Sequence, residues 1–183
     1  MGLVFVSIGS NLGDRLGLLR EAVRRLAAAG DIRVVEASRL YETEPWEGVP
    51  GQLPDRSDWF LNCVVAIETT LAPRALLERV QAIETVLGRT REPGQTPEAE
   101  RFVPRSLDID ILLYENQIIS VSDDLHIPHL LMHERAFVLR PLADLAPELV
   151  HPTLYRTIRE LVAELEDTHE VRIADVPPEW FEQ

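Results

Sequence analysis

Residues 32–69 read IRVVEASRLYETEPWEGVPGQLPDRSDWFLNCVVAIET. The apolar runs at 32–41 and 60–69 read as strands. Between them, residues 43–58 hold three prolines and two glycines and read as a long loop. Two strands therefore follow one another with no helix between. Upstream, LVFVSI at 3–8 is a short buried strand, and GSNLGD supplies turn residues and a helix cap. Leu16, Leu19, Val23 and Leu26 recur at helical spacing over 14–29, and Gly30 closes that helix. Downstream, Pro73 opens a second helix whose apolar face is Leu76, Leu77, Val80, Ile83 and Leu87, ending at Gly88.

RTREPGQTPEAER at 89–101 is a second polar loop, and 106–114 a fourth strand. QIISV reads as a short fifth strand. IPHLLMHERAFVLRPLADLAPEL reads as a loop and a short helix, and 153–165 as a last amphipathic helix. The ending IADVPPEWFEQ, rich in proline and acid, is expected on the surface. The order is βαββαβ plus an extra C-terminal helix. It predicts an α+β, ferredoxin-like sandwich, an antiparallel sheet with helices packed on it, as one domain over 1–183. That fold hosts many activities, so side chains must carry the function.

Composition narrows the chemistry. The chain has 183 residues and a formal charge of −13, which argues against nucleic-acid binding through a basic face. No run is long enough to span a bilayer, and the N-terminus shows no secretory pattern, so a cytoplasmic protein is expected. Cys63, the one cysteine, has no partner in the chain and reads as a small buried hydrophobe. All 18 basic residues are arginine. This excludes a Walker-A lysine, a Schiff-base lysine and a lysine general base. Phosphate binding then falls to Arg, His, backbone amides or metal.

RFVPRSLDIDILLY, residues 101–114, sets Asp108 and Asp110 among Ile109, Ile111, Leu112 and Leu113. On a strand, i and i+2 share a face, so both carboxylates point one way while Ile109, Ile111 and Leu113 point to the core. The pair is either a solvated face of alternating polarity or a site for a hard divalent cation such as Mg²⁺. Arg89, Arg91, Arg101 and Arg105 lie just upstream, as a polyphosphate–Mg²⁺ site requires, although Glu92, Glu98 and Glu100 dilute the charge. Gln81 and Glu84 share one side of the second helix and border the site or line an exposed face. His129 can donate to a phosphate, while His126, His129 and His133 lack a recognised zinc pattern. Phe60 and Phe137 can sandwich a flat heteroaromatic ring whose edge Asn62 would bond, although strand phenylalanines are usually core. Gly9-Ser10-Asn11 reads as a tight strand-to-helix turn, not a phosphate cradle.

SIGSNLGDR, YETEP, FLNCVVAIET, IETVLGR, RFVPRSLDIDILLY, IPHLLMHERAFVLRPL and APELVHP occur in this order. Together, over about 3–165, they resemble the 6-hydroxymethyl-7,8-dihydropterin pyrophosphokinases of folate biosynthesis. The resemblance implies a monomeric, Mg²⁺-dependent enzyme that transfers the pyrophosphoryl group of ATP to the hydroxymethyl oxygen of the reduced pterin, releasing AMP. It implies two Mg²⁺ ions on Asp108 and Asp110, with Arg89 and Arg105 on the phosphates and Arg91 and Arg101 on a closing loop. Gln81, Glu84, Ile111, His129 and Arg135 fall on the nucleotide side, and Thr43, Pro45, Trp46, Phe60, Asn62 and Phe137 on the pterin side. Its partners would be these two small molecules, with no nucleic acid and no membrane. Phe102 stands where the family usually has Trp, and Leu130 where Tyr or Pro is common. Loops 43–58 and 89–101 exceed those of compact members, and the tail from about 170 lies outside the resemblance. The competing readings are another Mg²⁺-dependent nucleotide-using transferase and a non-catalytic ferredoxin-like binding module.

Overall fold

The computed structural model describes residues 1–28, 30–46, 55–88, 107–122 and 124–182. The centre of the main sheet is β1 (Gly2–Ser10) against β4 (Phe60–Thr69), antiparallel from Gly2↔Thr69 to Ser10↔Leu61. β5 (Asp108–Tyr114) lies antiparallel on the far side of β1. β2 (Ile32–Ala37) and β3 (Tyr41–Thr43) share the far side of β4. This is the expected βαββαβ arrangement, with helices α1 (Arg15–Ala27) and α2 (Pro73–Val86).

The second strand differs from its expected form. The run 32–41 is broken at Ser38, which is buried. There the Ser38 hydroxyl accepts Val64 N–H at 2.9 Å, and the Ser38 carbonyl accepts the indole N–H of Trp180. Side chains thus satisfy backbone groups that a continuous strand would pair.

Helix boundaries follow their caps. Asp14 accepts Gly17 N–H at the start of α1, and Gly30 beyond its end has φ +74°. Leu19, Ala22, Val23 and Leu26 of α1, with Leu76, Val80 and Ile83 of α2, pack on Val4, Val6, Ile8, Leu61, Cys63, Val65, Ile67, Ile109 and Ile111. On the opposite face, α3 (Ala136–Leu145) and α4 (Ile158–Ala163) cover Phe5, Val64, Ala66, Leu112 and Leu113. The last helix is shorter than the expected 153–165, because Thr157 and Glu160 form a capping box that starts it at Ile158. Leu113 also departs from expectation. A register shift where β5 pairs with Phe5 and Val6 turns Leu113 toward α3, not toward Ile109 and Ile111.

Residues 117–121 do hold a short strand, β6 (Ile119–Ser122), but it pairs with β7 (Leu125–Ile127) in a separate hairpin. The tail is not a surface appendage. β8 (Val171–Ile173) pairs with β3, and Trp180 is fully buried in the core beneath α1. Arg20 donates to the Trp180 carbonyl at 2.8 Å. Among the described residues no helix is long and apolar enough to cross a membrane.

Candidate active site

The two sheet faces are covered unequally. Helices α1 and α2 cover one fully, whereas α3 and α4 cover only the half near Phe5, Val64 and Ala66. Along β1, β4 and β5 the same parity continues into the other half as Ser7 and Gly9, Phe60 and Asn62, and Asp108 and Asp110. These six residues line a cleft of about 290 Å³ together with Thr43, Glu44, Pro45, Trp46, His129, Arg135 and Phe137.

Asp110 sits opposite Ser7 and Asp108 opposite Gly9, which in turn faces Asn62 on β4. Asp108 and Asn62 are thus two strand spacings apart, about 10 Å. Gly9 is what clears the lane between them. A Cβ there would lie 2.1 Å from Asn62 Oδ1. Gly9 and Ser10 belong to β1, so the expected tight turn begins only after them, with Gly13 at φ +63°. Beneath β5, the buried Glu84 accepts Ile109 N–H at 2.9 Å and so holds the strand between the two aspartates.

At the other end of the lane, the Asn62 amide donates to Thr43 Oγ1 at 2.7 Å, which leaves its second N–H and its oxygen for the cleft. Phe60 and Phe137 are half-buried cleft walls rather than closed core. Trp46 meets Phe137 edge-on at 6.2 Å, and the Arg135 guanidinium lies over both rings, 5.8 and 5.6 Å from their centres. His129 follows a cis Ile127–Pro128 bond, and its N–H donates to the Leu112 carbonyl, laying it beside β5. Its Nδ1 accepts Leu131 N–H at 3.3 Å. Burial, then Arg135, pulls its pKa down to about 4 against a smaller opposing pull from Asp108. At neutral pH the ring is therefore neutral and carries its proton on Nε2.

The cleft gathers Asp108, Asp110, His129, Arg135 and all six residues expected for the pterin. Three expected nucleotide-side residues stand elsewhere. Ile111 is buried in the core on the α2 side of β5, Glu84 acts on the β5 backbone, and Gln81 is half-buried on α2. Arg89, Arg91, Arg101, Arg105 and Phe102 lie outside the described residues, as do 47–54 and 89–101 of the two expected loops. Sequence reasoning missed Ser7 and Glu44 as lining residues and took Gly9 only for a turn. The polar Ser7 within LVFVSI was the available signal.

The donor set fits a hard cation. Two carboxylates on one strand face give the one or two protein ligands that Mg²⁺ takes, its remaining positions going to water and phosphate. Among the described residues no group of three His, Cys, Asp or Glu forms a closed cage. Of the described lining residues Glu44, Asp108 and Asp110 are acidic and Arg135 alone is a permanent cation. An anionic ligand would therefore need added positive charge here.

A model of the 7,8-dihydro-6-hydroxymethylpterin-pyrophosphokinase family matches residues 5–147. A 2-amino-4-hydroxy-6-hydroxymethyldihydropteridine pyrophosphokinase of Methylorubrum extorquens is 45% identical over 167 residues, covering 91% of this chain and 95% of that protein. The Bacillus subtilis protein of the same name is 41% identical over 147 residues, 80% of each chain. The folic acid synthesis protein fol1 of Schizosaccharomyces pombe is 39% identical over 165 residues, and the chain spans only 20% of its length. Among solved structures, wild-type HPPK-DHPS of Plasmodium falciparum shares the fold with a TM-score of 0.64 at 17% identity, over 89% of this chain and 44% of that one.

Proposed function

The chain belongs to the 7,8-dihydro-6-hydroxymethylpterin-pyrophosphokinase family of folate synthesis, and from that premise we propose how its cleft uses ATP and Mg²⁺. The hydroxymethyl oxygen of the reduced pterin attacks the β-phosphorus of ATP. The bond from that phosphorus to the α,β-bridging oxygen breaks, the hydroxyl proton is lost to solvent, and the products are the pterin diphosphate and AMP.

Asp108 and Asp110 would hold Mg²⁺, which when bound neutralises phosphate charge and draws the polyphosphate to an acidic cleft. The neutral His129 donates a hydrogen bond from Nε2–H to a phosphate oxygen, and Arg135 adds the permanent charge beside it. Asn62, locked by Thr43, reads the pterin edge, and Phe60 and Phe137 flank its ring. Arg89 and Arg105 on the phosphates, with Arg91 and Arg101 near them, complete the proposal. Glu84 contributes by fixing the strand that carries both carboxylates. Positioning and electrostatics suffice for this chemistry, so a strong protein base is not required.

The observation that carries the reading is the single lane Asp108–Gly9–Asn62. It sets metal-type carboxylates and a heterocycle-reading amide on one open sheet face. Phosphorus NMR of the chain with Mg²⁺, ATP and 6-hydroxymethyl-7,8-dihydropterin tests it. AMP with a new diphosphate ester is expected. ADP would mean single phosphoryl transfer and refute it, as would unchanged ATP.

A further inference from the structure

Beyond the family-matched residues, the chain returns to the cleft. The side chain of Asp167 has no exposed surface. One of its oxygens accepts Ala136 N–H at 2.8 Å, at the first turn of α3. The other accepts the backbone N–H of His169 at 2.9 Å and meets its ring Nδ1 at 2.5 Å. The imidazole so held lies against the Trp46 indole, with centroids 5.1 Å apart and planes 34° apart. Next in sequence, Glu170 and Glu44 are bonded in both directions. Glu44 N–H donates to the Glu170 carbonyl at 3.0 Å, and Glu170 N–H to Glu44 Oε2 at 2.7 Å.

Two aromatic walls of the cleft, Trp46 and Phe137, are therefore braced by one short segment. His169 backs the first, and Asp167 caps the helix turn that carries the second. Docking of the tail does not need the imidazole, because β8 pairing and the buried Trp180 already secure it. What His169 adds is a fixed ring behind Trp46.

We propose that Asp167 and His169 are positioning residues of the pterin subsite, setting the spacing of Trp46 and Phe137 and through it the affinity for a flat heteroaromatic ring. This rests on the function proposed above. Neither residue touches the reacting atoms, so the larger effect falls on pterin binding, and Arg135, which lies over both rings, passes only a smaller one to the nucleotide.

Calorimetry on the full chain separates these. Wild type, His169→Ala and His169→Phe are titrated with Mg²⁺ and a non-hydrolysable ATP analogue and then, with that nucleotide saturating, with 6-hydroxymethyl-7,8-dihydropterin. His169→Ala should weaken pterin binding about 3- to 10-fold, the worth of one ring–ring contact, and change the nucleotide Kd by less than about twofold. His169→Phe, which restores a ring behind Trp46, should recover most of the loss. The Trp46 indole resonance of ligand-free His169→Ala should also move. A wild-type pterin Kd in His169→Ala, or equal losses for both ligands, overturns the positioning role while the proposed function stands. A wild-type chain that binds no pterin overturns the function and this inference with it.

Discussion

Replacing Gly9 by Ala adds one methyl group at the centre of the cleft. Gly9 lies in β1 with an ordinary strand φ, so backbone strain is not at issue. Space is. The new Cβ would lie 2.1 Å from Asn62 Oδ1 and 3.8 Å from Phe60 Cδ1. Only the first contact is impossible, and the atom concerned is the far end of a side chain that can rotate. Rotation breaks the 2.7 Å bond to Thr43, which costs about 0.5–1.5 kcal/mol of stability. It also swings the amide away from a ligand in the cleft. Two ligand hydrogen bonds at about 0.5–1.5 kcal/mol each give a 5- to 150-fold weaker pterin Kd. The nucleotide Kd should stay within about twofold, since Asp108 and Asp110 are untouched. Calorimetry with each ligand, beside urea unfolding, measures all three quantities. A pterin Kd within twofold of wild type would refute the role given to Asn62. Equal losses for both ligands would refute the two-ended cleft.

Other substitutions probe other parts. Asp110→Asn should lower turnover by several kcal/mol of barrier, at least about a hundredfold, with an unchanged circular dichroism spectrum; normal turnover would remove the metal assignment. His129 has a folded pKa of about 4, below its unfolded value, so the unfolded chain binds the proton more readily and stability is lost as pH falls from about 6.5 toward 4. Urea unfolding at pH 7 and pH 4 should show His129→Gln losing about 2–3 kcal/mol less than wild type across that window, and an identical loss would count against burial as the cause. Trp180→Ala should cost about 3–5 kcal/mol, read by urea unfolding, because it empties a fully buried core position and orphans the Ser38 carbonyl; a loss under about 1 kcal/mol would mean the tail is peripheral.

Most of the sheet was legible because its strands have period-2 patterns that one apolar layer enforces. β1, β4 and β5 alternate between the α1–α2 core and the other face, and the shared face of Asp108 and Asp110 followed from spacing alone. The same parity places Ile111 in the core, away from the aspartates. Features hidden from local pattern depend on distant partners. The break at Ser38 is stabilised by Trp180, 142 residues on. The turning of Leu113 arises from a register shift against β1. Glu84 looks like any helix carboxylate until α2 is laid under β5 and Ile109 N–H reaches it. The tail carried no usable signal, since its proline and acid content resembles a surface ending, while its anchors, the buried Trp180 and the Asp167 carboxylate, find their partners far away in the chain.

The unequal covering of the two faces explains why the carboxylates are tolerated. A full helical layer over the second face would bury Asp108 and Asp110 in apolar surroundings and demand a partner for each. Helices α3 and α4 stop short, so both aspartates remain half-buried in an open cleft. Strand pairing then fixes what open loops could not. The distance from the carboxylates to Asn62 is two steps across three hydrogen-bonded strands, which changes little with side-chain motion. A ligand that engages both ends must match that length. On the proposed function, discrimination by size would rest on the backbone of β1, β4 and β5, and Trp46 and Phe137, braced from the tail, would govern how tightly the ring is held.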